Sequence, residues 1–297
     1  MKDKIITIIL LICLVGGLGT LFYPMLSNLL WEQKQDKILT EYKEEMENLS
    51  DQEIEEAQKT AQEYNEKLLS PVVISDPFDP KNVQEMEADY LAALNQQGNG
   101  IMAYVEIPRI GVYEPVYHGV SDEVLAKGTG HLENTSLPIG GTGTHAVISG
   151  HTGLPNAEIF TKLSSVKKGD VFYVYVLNEV LAYQVDQMKV VEPSDTNDLH
   201  IDPRRDYVTL VTCTPYGLNS HRLLVRGTRI PYTPEIEALS EEQKSEGAGI
   251  ESWKTIYGKS ILEGFVVAAI ILAFIIFYRR TKYGKKRVGK SSEKKDF

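Results

Sequence analysis

One cysteine closes an apolar run, Tyr207-Val208-Thr209-Leu210-Val211-Thr212-Cys213. The residues before it are β-branched, aromatic or leucine, so the run reads as a strand that ends at the thiol. Pro215 and Gly217 follow as turn residues, then His221-Arg222 and a second apolar run, Leu223-Leu224-Val225. The other cysteine, Cys13, lies in an apolar N-terminal stretch and offers no disulfide partner. A thiol attacks as its thiolate, and an ordinary pKa of about 8.5 requires a base or a cation beside it. Of His118, His131, His145, His151, His200 and His221, His151 fits that need best. The segment Ile148-Ser149-Gly150-His151-Thr152-Gly153 sets it just past an apolar strand, among glycines that let the backbone turn tightly. Arg222 and Arg226 fall four apart on the next strand, on one side of it. Arginine's fixed charge and planar donors suit an oxyanion or a carbonyl oxygen. One of the two belongs beside the thiolate, and the other reads as structural. A metal site on His145, His151 and Cys213 lacks a short ligand pair of zinc type, so no metal is expected.

These residues need elements to hold them. From about Gly100 the chain reads as short strands separated by turns: 101–108, 110–112, 114–117, 144–149, 170–177, 181–185, about 188–191, 207–212 and 223–228. That spacing predicts a closed barrel or a sandwich, with ample residues for one packed core. Before it, residues 31–70 form a charged, glycine-free section with two sets of apolar residues at helical spacing. Ile38, Tyr42, Met46 and Leu49 make one stripe; Ile54, Ala57, Ala61, Tyr64 and Leu68 make the other. Ser50-Asp51-Gln52-Glu53 between them has the form of a capping box. Three prolines in residues 70–80 then favour an extended connector, although Phe78 between two Asp-Pro steps would be an odd aromatic for a linker left in water.

The ends are apolar. Residues 5–30 carry no charge and are long enough to cross a hydrocarbon core of roughly 30 Å as a helix. Residues 261–278 offer a second span, followed by a tail dense in arginine and lysine from Arg279 to Lys295. By the positive-inside rule both termini are then cytoplasmic and the intervening part lies outside the cell. The net charge is −10 although the tail is basic, so the part between the spans is acidic, which argues against a nucleic-acid partner. The tail suits an anionic membrane leaflet, making membrane lipid an expected partner. The expected organisation is an N-terminal transmembrane helix at 1–30, an extracellular helical arm at 31–70 and a lid with connector at 71–99. A catalytic β-barrel at 100–232 follows, then a juxtamembrane linker at 233–259, a transmembrane helix at 260–278 and a cytoplasmic tail at 279–297.

Four features together carry a family resemblance. Thr209-Leu210-Val211-Thr212-Cys213 resembles the TLxTC motif of sortases, and Ser149-Gly150-His151-Thr152-Gly153 resembles their histidine segment. Arg222, nine residues past the cysteine, matches the arginine as spaced in the class C, pilin-polymerising branch of Gram-positive bacteria. Asp76-Pro77-Phe78 resembles that branch's Asp-Pro-aromatic lid. The resemblance runs from about residue 70 to 231. It implies a mainly β fold, a closed eight-stranded sortase-type barrel with amphipathic helices before it and transmembrane helices flanking it.

It also implies a cysteine transpeptidase without cofactor or metal. Cys213 would attack the Thr–Gly bond of an LPxTG-like sorting signal, His151 would move the proton, and Arg222 would hold the substrate carbonyl. The acceptor would be a pilin lysine, and Asp76 would pair with Arg222 while Phe78 covers Cys213. Two other readings stay open here. One is a housekeeping sortase that attaches surface proteins to peptidoglycan; the other is a non-catalytic β-barrel binding module whose cysteine is a small buried hydrophobe.

Overall fold

The computed structural model describes residues 2–68, 73–79, 86–154, 157–250, 254–255, 257–266, 270 and 273. Residues 26–250 form one compact unit; residues 1–25 and 251–297 form another. In chain order the helices are α1 (Lys2–Asn48), α2 (Asp51–Lys67), α3 (Ala88–Ala92), α4 (Asp122–Leu125) and α5 (Pro234–Gly247). The strands are β1 (Ile101–Ile107), β2 (Val112–His118), β3 (Thr129–His131), β4 (Thr144–Ser149), β5 (Val171–Val176), β6 (Glu179–Val191), β7 (Asp206–Thr214) and β8 (His221–Ile230). They close into a barrel in the order β1-β2-β3-β4-β7-β8-β6-β5. The β2–β3 and β4–β7 pairs are parallel and the others antiparallel.

Side-chain alternation divides each central strand between two cores. Ala146 and Ile148 of β4, Val208 and Leu210 of β7, and Leu223 and Val225 of β8 belong to the main core. Their neighbours Val147, Val211 and Leu224 belong to a separate cluster with Ile74, Leu132, Val191 and Leu199. The wall formed by β4, β7 and β8 is therefore apolar on both faces. One face lines the main core and the other is covered by chain from outside the sheet.

The arm expected at 31–70 docks on the barrel through the two apolar stripes. Tyr42 and Met46 of α1, and Ala57, Ala61 and Tyr64 of α2, are buried in the main core. The Ser50–Glu53 capping box is present in both directions. Polar bonds fix the register. Gln35 Nε2 and Trp31 Nε1 donate to the Glu114 carboxyl at 2.8 and 3.1 Å, and burial pushes that carboxyl's pKa up to about 8. Beyond the barrel, α5 starts at a Thr233 N-cap with Pro234 in its first turn, where residues 233–259 read as a linker.

The two membrane spans are overturned. Among the described residues no helix is long and apolar enough to cross a membrane. The stretch at 5–30 is not a separate segment: it belongs to one continuous 47-residue helix, α1, whose later half is charged and docks by its apolar stripe. The second span, 260–278, falls partly on residues outside the described ones, as does the whole tail at 279–297. The multi-pass location, with an external catalytic domain and cytoplasmic termini, rested on those spans and is withdrawn with them.

A buried ion pair ties the turn after β1 to the start of β5 and to α5. Arg109 donates from Nε and Nη2 to both oxygens of Asp170 at 2.6 and 2.8 Å, and from Nη1 to Glu246 of α5 at 2.9 Å. Both Arg109 and Asp170 are buried, so removing one leaves the other's charge uncompensated. Arg109→Ala is expected to lower the unfolding free energy by about 3–5 kcal/mol in urea titrations. An unchanged urea midpoint would show the pair to be dispensable.

Candidate active site

Register brings the three chemical residues of the sequence together. Cys213 on β7 lies directly across from Arg222 on β8. The parallel β4–β7 pair runs up to Ser149 opposite Val211, so continuing it by two residues sets His151 beside Cys213. Parity puts them on one face: Cys213 shares the side of Val211, and Arg222 the side of Leu224. The thiol is thus presented on the covered outer face of the barrel wall, away from the main core.

Local hydrogen bonds hold the histidine turn against the nucleophile strand. Gly150 N donates to Val211 O at 3.0 Å, and Thr212 Oγ1 donates to Gly150 O at 2.7 Å. His151 O accepts from Phe160 N at 3.1 Å. A Cβ on Gly150 would stand 2.7 Å from the Phe160 ring, so the close approach of this turn to its support requires glycine.

Residues 73–79 lie over this face. Asp76 takes a two-pronged pair from Arg222, with Nε to Oδ1 and Nη2 to Oδ2 both at 2.7 Å. Arg222 Nη1 donates to the carbonyls of Asn219 and His221, each at 3.0 Å. The Phe78 ring sits 5.8 Å from the His151 ring, and the Arg222 guanidinium carbon lies 5.1 Å from its centre. Pro77 and Phe78 form a turn in which Asp79 N donates to Asp76 O, and Phe78 N donates to Asp76 Oδ1. Phe78 also packs against the apolar cluster of Ile74, Val147, Val211 and Leu224. A groove of about 210 Å³ flanks this segment, between Asp76–Asp79 and the turn Gly119–Asp122.

Cys213 is free and half-buried. Burial pushes its thiol pKa up, the Arg222 charge pulls against that, and the Asp76 carboxylate adds to the rise. Burial holds the His151 imidazole below its ordinary value, opposed by the Asp122 carboxylate. With the segment in place the pair therefore favours the neutral thiol and neutral imidazole at neutral pH.

His145, His131, His118 and the second arginine are held in structural contacts. His145 is buried, with Nδ1 at 3.0 Å from His200 O and Nε2 at 2.7 Å from Thr209 Oγ1. His131 is bound to Tyr90 and Ser136, and His118 to the Gly100 and Ala93 carbonyls. Arg226 pairs with Asp186 and stacks over Tyr207 at 4.3 Å. No group of three or more candidate metal ligands occurs among the described residues. A larger cavity of about 420 Å³ lies between α2 and the turn at 139–144, and its lining includes none of Cys213, His151 or Arg222.

The sortase domain model matches residues 105–230. A solved sortase C-1 from Streptococcus pneumoniae is 51% identical with a TM-score of 0.63, covering 66% of this chain and 100% of that one. A structure described as a pilus-related sortase C of Group B Streptococcus is 46% identical with a TM-score of 0.59, covering 64% and 96%. Sortase A of Staphylococcus aureus is 35% identical over 122 residues, which span 39% of this chain and 57% of that relative's length. The chain belongs to the sortase family, whose members are cysteine transpeptidases. Within that family it falls in the class C branch.

Proposed function

We propose that the chain cleaves an LPxTG-like sorting signal between Thr and Gly and transfers the Thr carbonyl to a pilin lysine. The observation that carries this reading is the register of Cys213 opposite Arg222, with His151 continuing β4 beside them. The Cys213 thiolate adds to the threonine carbonyl carbon, and the oxygen takes negative charge that Arg222 stabilises. The C–N bond to glycine then breaks as His151 gives its proton to the departing amine. A thioester remains on Sγ. The lysine amine adds to it, losing a proton to the now neutral His151, and the C–S bond breaks to restore the thiolate. The product is an isopeptide bond, and repeated transfer builds a covalent polymer. The resemblance to a pilus-related sortase C and the Asp76-Pro77-Phe78 lid support the pilin acceptor.

The test uses an LPxTG peptide with the Asp76→Ala chain, read by intact mass. The expected species is an adduct equal to the peptide without its glycine-containing leaving group, absent when Cys213→Ala is added. An adduct elsewhere, or none under conditions where the thiol is alkylated, would sink the assignment. Adding a pilin-lysine peptide should discharge the adduct into an isopeptide product. Discharge by a peptidoglycan amine alone would instead make this a housekeeping enzyme.

A further inference from the structure

The Asp76–Arg222 pair is the most visible attachment of the lid, but physical reasoning makes it a poor sole anchor. Both side chains are largely removed from water, and the cost of stripping two charges offsets much of their attraction. A second attachment lies two residues earlier. Ile74 is 7% exposed and belongs to the apolar cluster of Val147, Val211, Leu224, Val191, Leu199 and Leu132. Its neighbour Val73 is 84% exposed, so the apolar character of the segment is directed, not general.

The spacing explains how. Ile74 packs in the cluster of Val211 and Leu224, and Asp76, two residues on, pairs with Arg222, so both face the same wall before the turn. The wall beneath steps in the same way. Val211 and Leu224 pair across β7 and β8, and two residues on from that pair stand Cys213 and Arg222. Ile74 meets the first level, and Asp76 the second. The turn at 76–79 then brings Phe78 to His151.

We propose that Ile74 is the principal anchor of the lid, and that its apolar seat holds the segment closed over Cys213 more strongly than the ion pair does. The inference rests on reading residues 73–79 as a lid over a catalytic thiol. Burying an isoleucine side chain corresponds to about 10- to 100-fold in a closing equilibrium. An extended peptide bearing an aliphatic side chain would have to displace Ile74 to lie along the same wall, so lid and peptide compete for one seat.

The test is the rate at which a bulky maleimide labels Cys213 in the full chain, with Cys13→Ser as background and peptide mapping to locate the label. Ile74→Ala is expected to raise that rate about tenfold or more, since reaction proceeds through the opened state. The rise should exceed that of Asp76→Ala. Val73→Ala should leave the rate unchanged, and Ile74→Leu should stay within about threefold of wild type. A cooperative thermal transition in Ile74→Ala at the wild-type temperature would exclude general unfolding as the cause. If Ile74→Ala labels at the wild-type rate, or below Asp76→Ala, the anchor assignment is wrong. Labelling needs no substrate, so raised labelling without any peptide transfer would keep the anchor and overturn only the sorting-signal reading.

Discussion

His151→Ala is expected to lower peptide transfer by about 10²- to 10⁴-fold and to change the shape of its pH profile. Burial lowers the imidazole's pKa and raises that of the thiol, so the reacting thiolate–imidazolium pair is a minority species between the two values. Its share is nearly constant in that window. Below the histidine's pKa the thiol holds its proton and activity falls; above the cysteine's pKa the imidazole has no proton for the leaving amine and activity falls again. The wild-type kcat/KM should therefore be bell-shaped, its acid limb below the ordinary histidine range and its alkaline limb above the ordinary thiol range. With His151 gone, the residual rate depends on thiolate alone and should rise with pH and level off without the alkaline fall. A variant slowed equally at every pH would show that the residue supports structure and not proton transfer. Opening the lid removes the Asp76 carboxylate that adds to the thiol's rise, so Asp76→Ala should move the alkaline limb to lower pH.

The chemistry of this site is written into local sequence because each group needed a recognisable setting. Cys213 ends a β-branched run, His151 sits among glycines, and Arg222 opens the next strand. Alternation then decides which face they occupy, and that too follows once Val208 and Leu210 are assigned to the main core. Long-range pairing was less accessible. β3 has three residues and contains a glycine, so it carries no run to recognise. Glu114 reads as a polar residue on a strand, and its bonds to Trp31 and Gln35 span about eighty positions. The helix α5 did leave local signals, a Thr233-Pro234 start, but these stood in a stretch already assigned to a linker.

Ile74 illustrates a different limit. The run Val72-Val73-Ile74 offers three equivalent apolar residues, and only the opposing strands single out one as the buried contact. The apolar ends misled for the opposite reason. Hydropathy over 5–30 satisfied the length rule for a span, yet length and local composition do not say that the same helix continues into a charged, docked arm. The site does not depend on an external location, because a half-buried thiol opposite Arg222 calls for the same chemistry in any compartment.

Arg222→Ala is expected to have opposite effects on two readouts: peptide transfer falls by about 10²- to 10³-fold, while maleimide labelling of Cys213 rises. The loss follows from removing the only cation placed across from the thiol by strand register among the described residues. The gain follows because Asp76 loses both of its guanidinium donors, and the lid loses its two-pronged attachment to β8. Arg222→Lys should resemble the alanine variant more than wild type, since an ammonium keeps the charge but cannot supply the two-pronged geometry. Combining Arg222→Ala with Asp76→Ala should add little further labelling, as both break one contact and their effects are not additive. Additive labelling would mean that the two residues act separately. On the proposed reading the closed lid would also block the site by occupying the donors of Arg222. Nε and Nη2 serve Asp76 while Nη1 serves the Asn219 and His221 carbonyls, so each terminal nitrogen of the guanidinium already has an acceptor. A substrate oxyanion can take the donors facing Asp76 only after Asp76 has left them. On the proposed mechanism the residue that stabilises the reaction is the residue that the lid must release, and a peptide that lifts Ile74 from its seat would free Arg222 in the same movement.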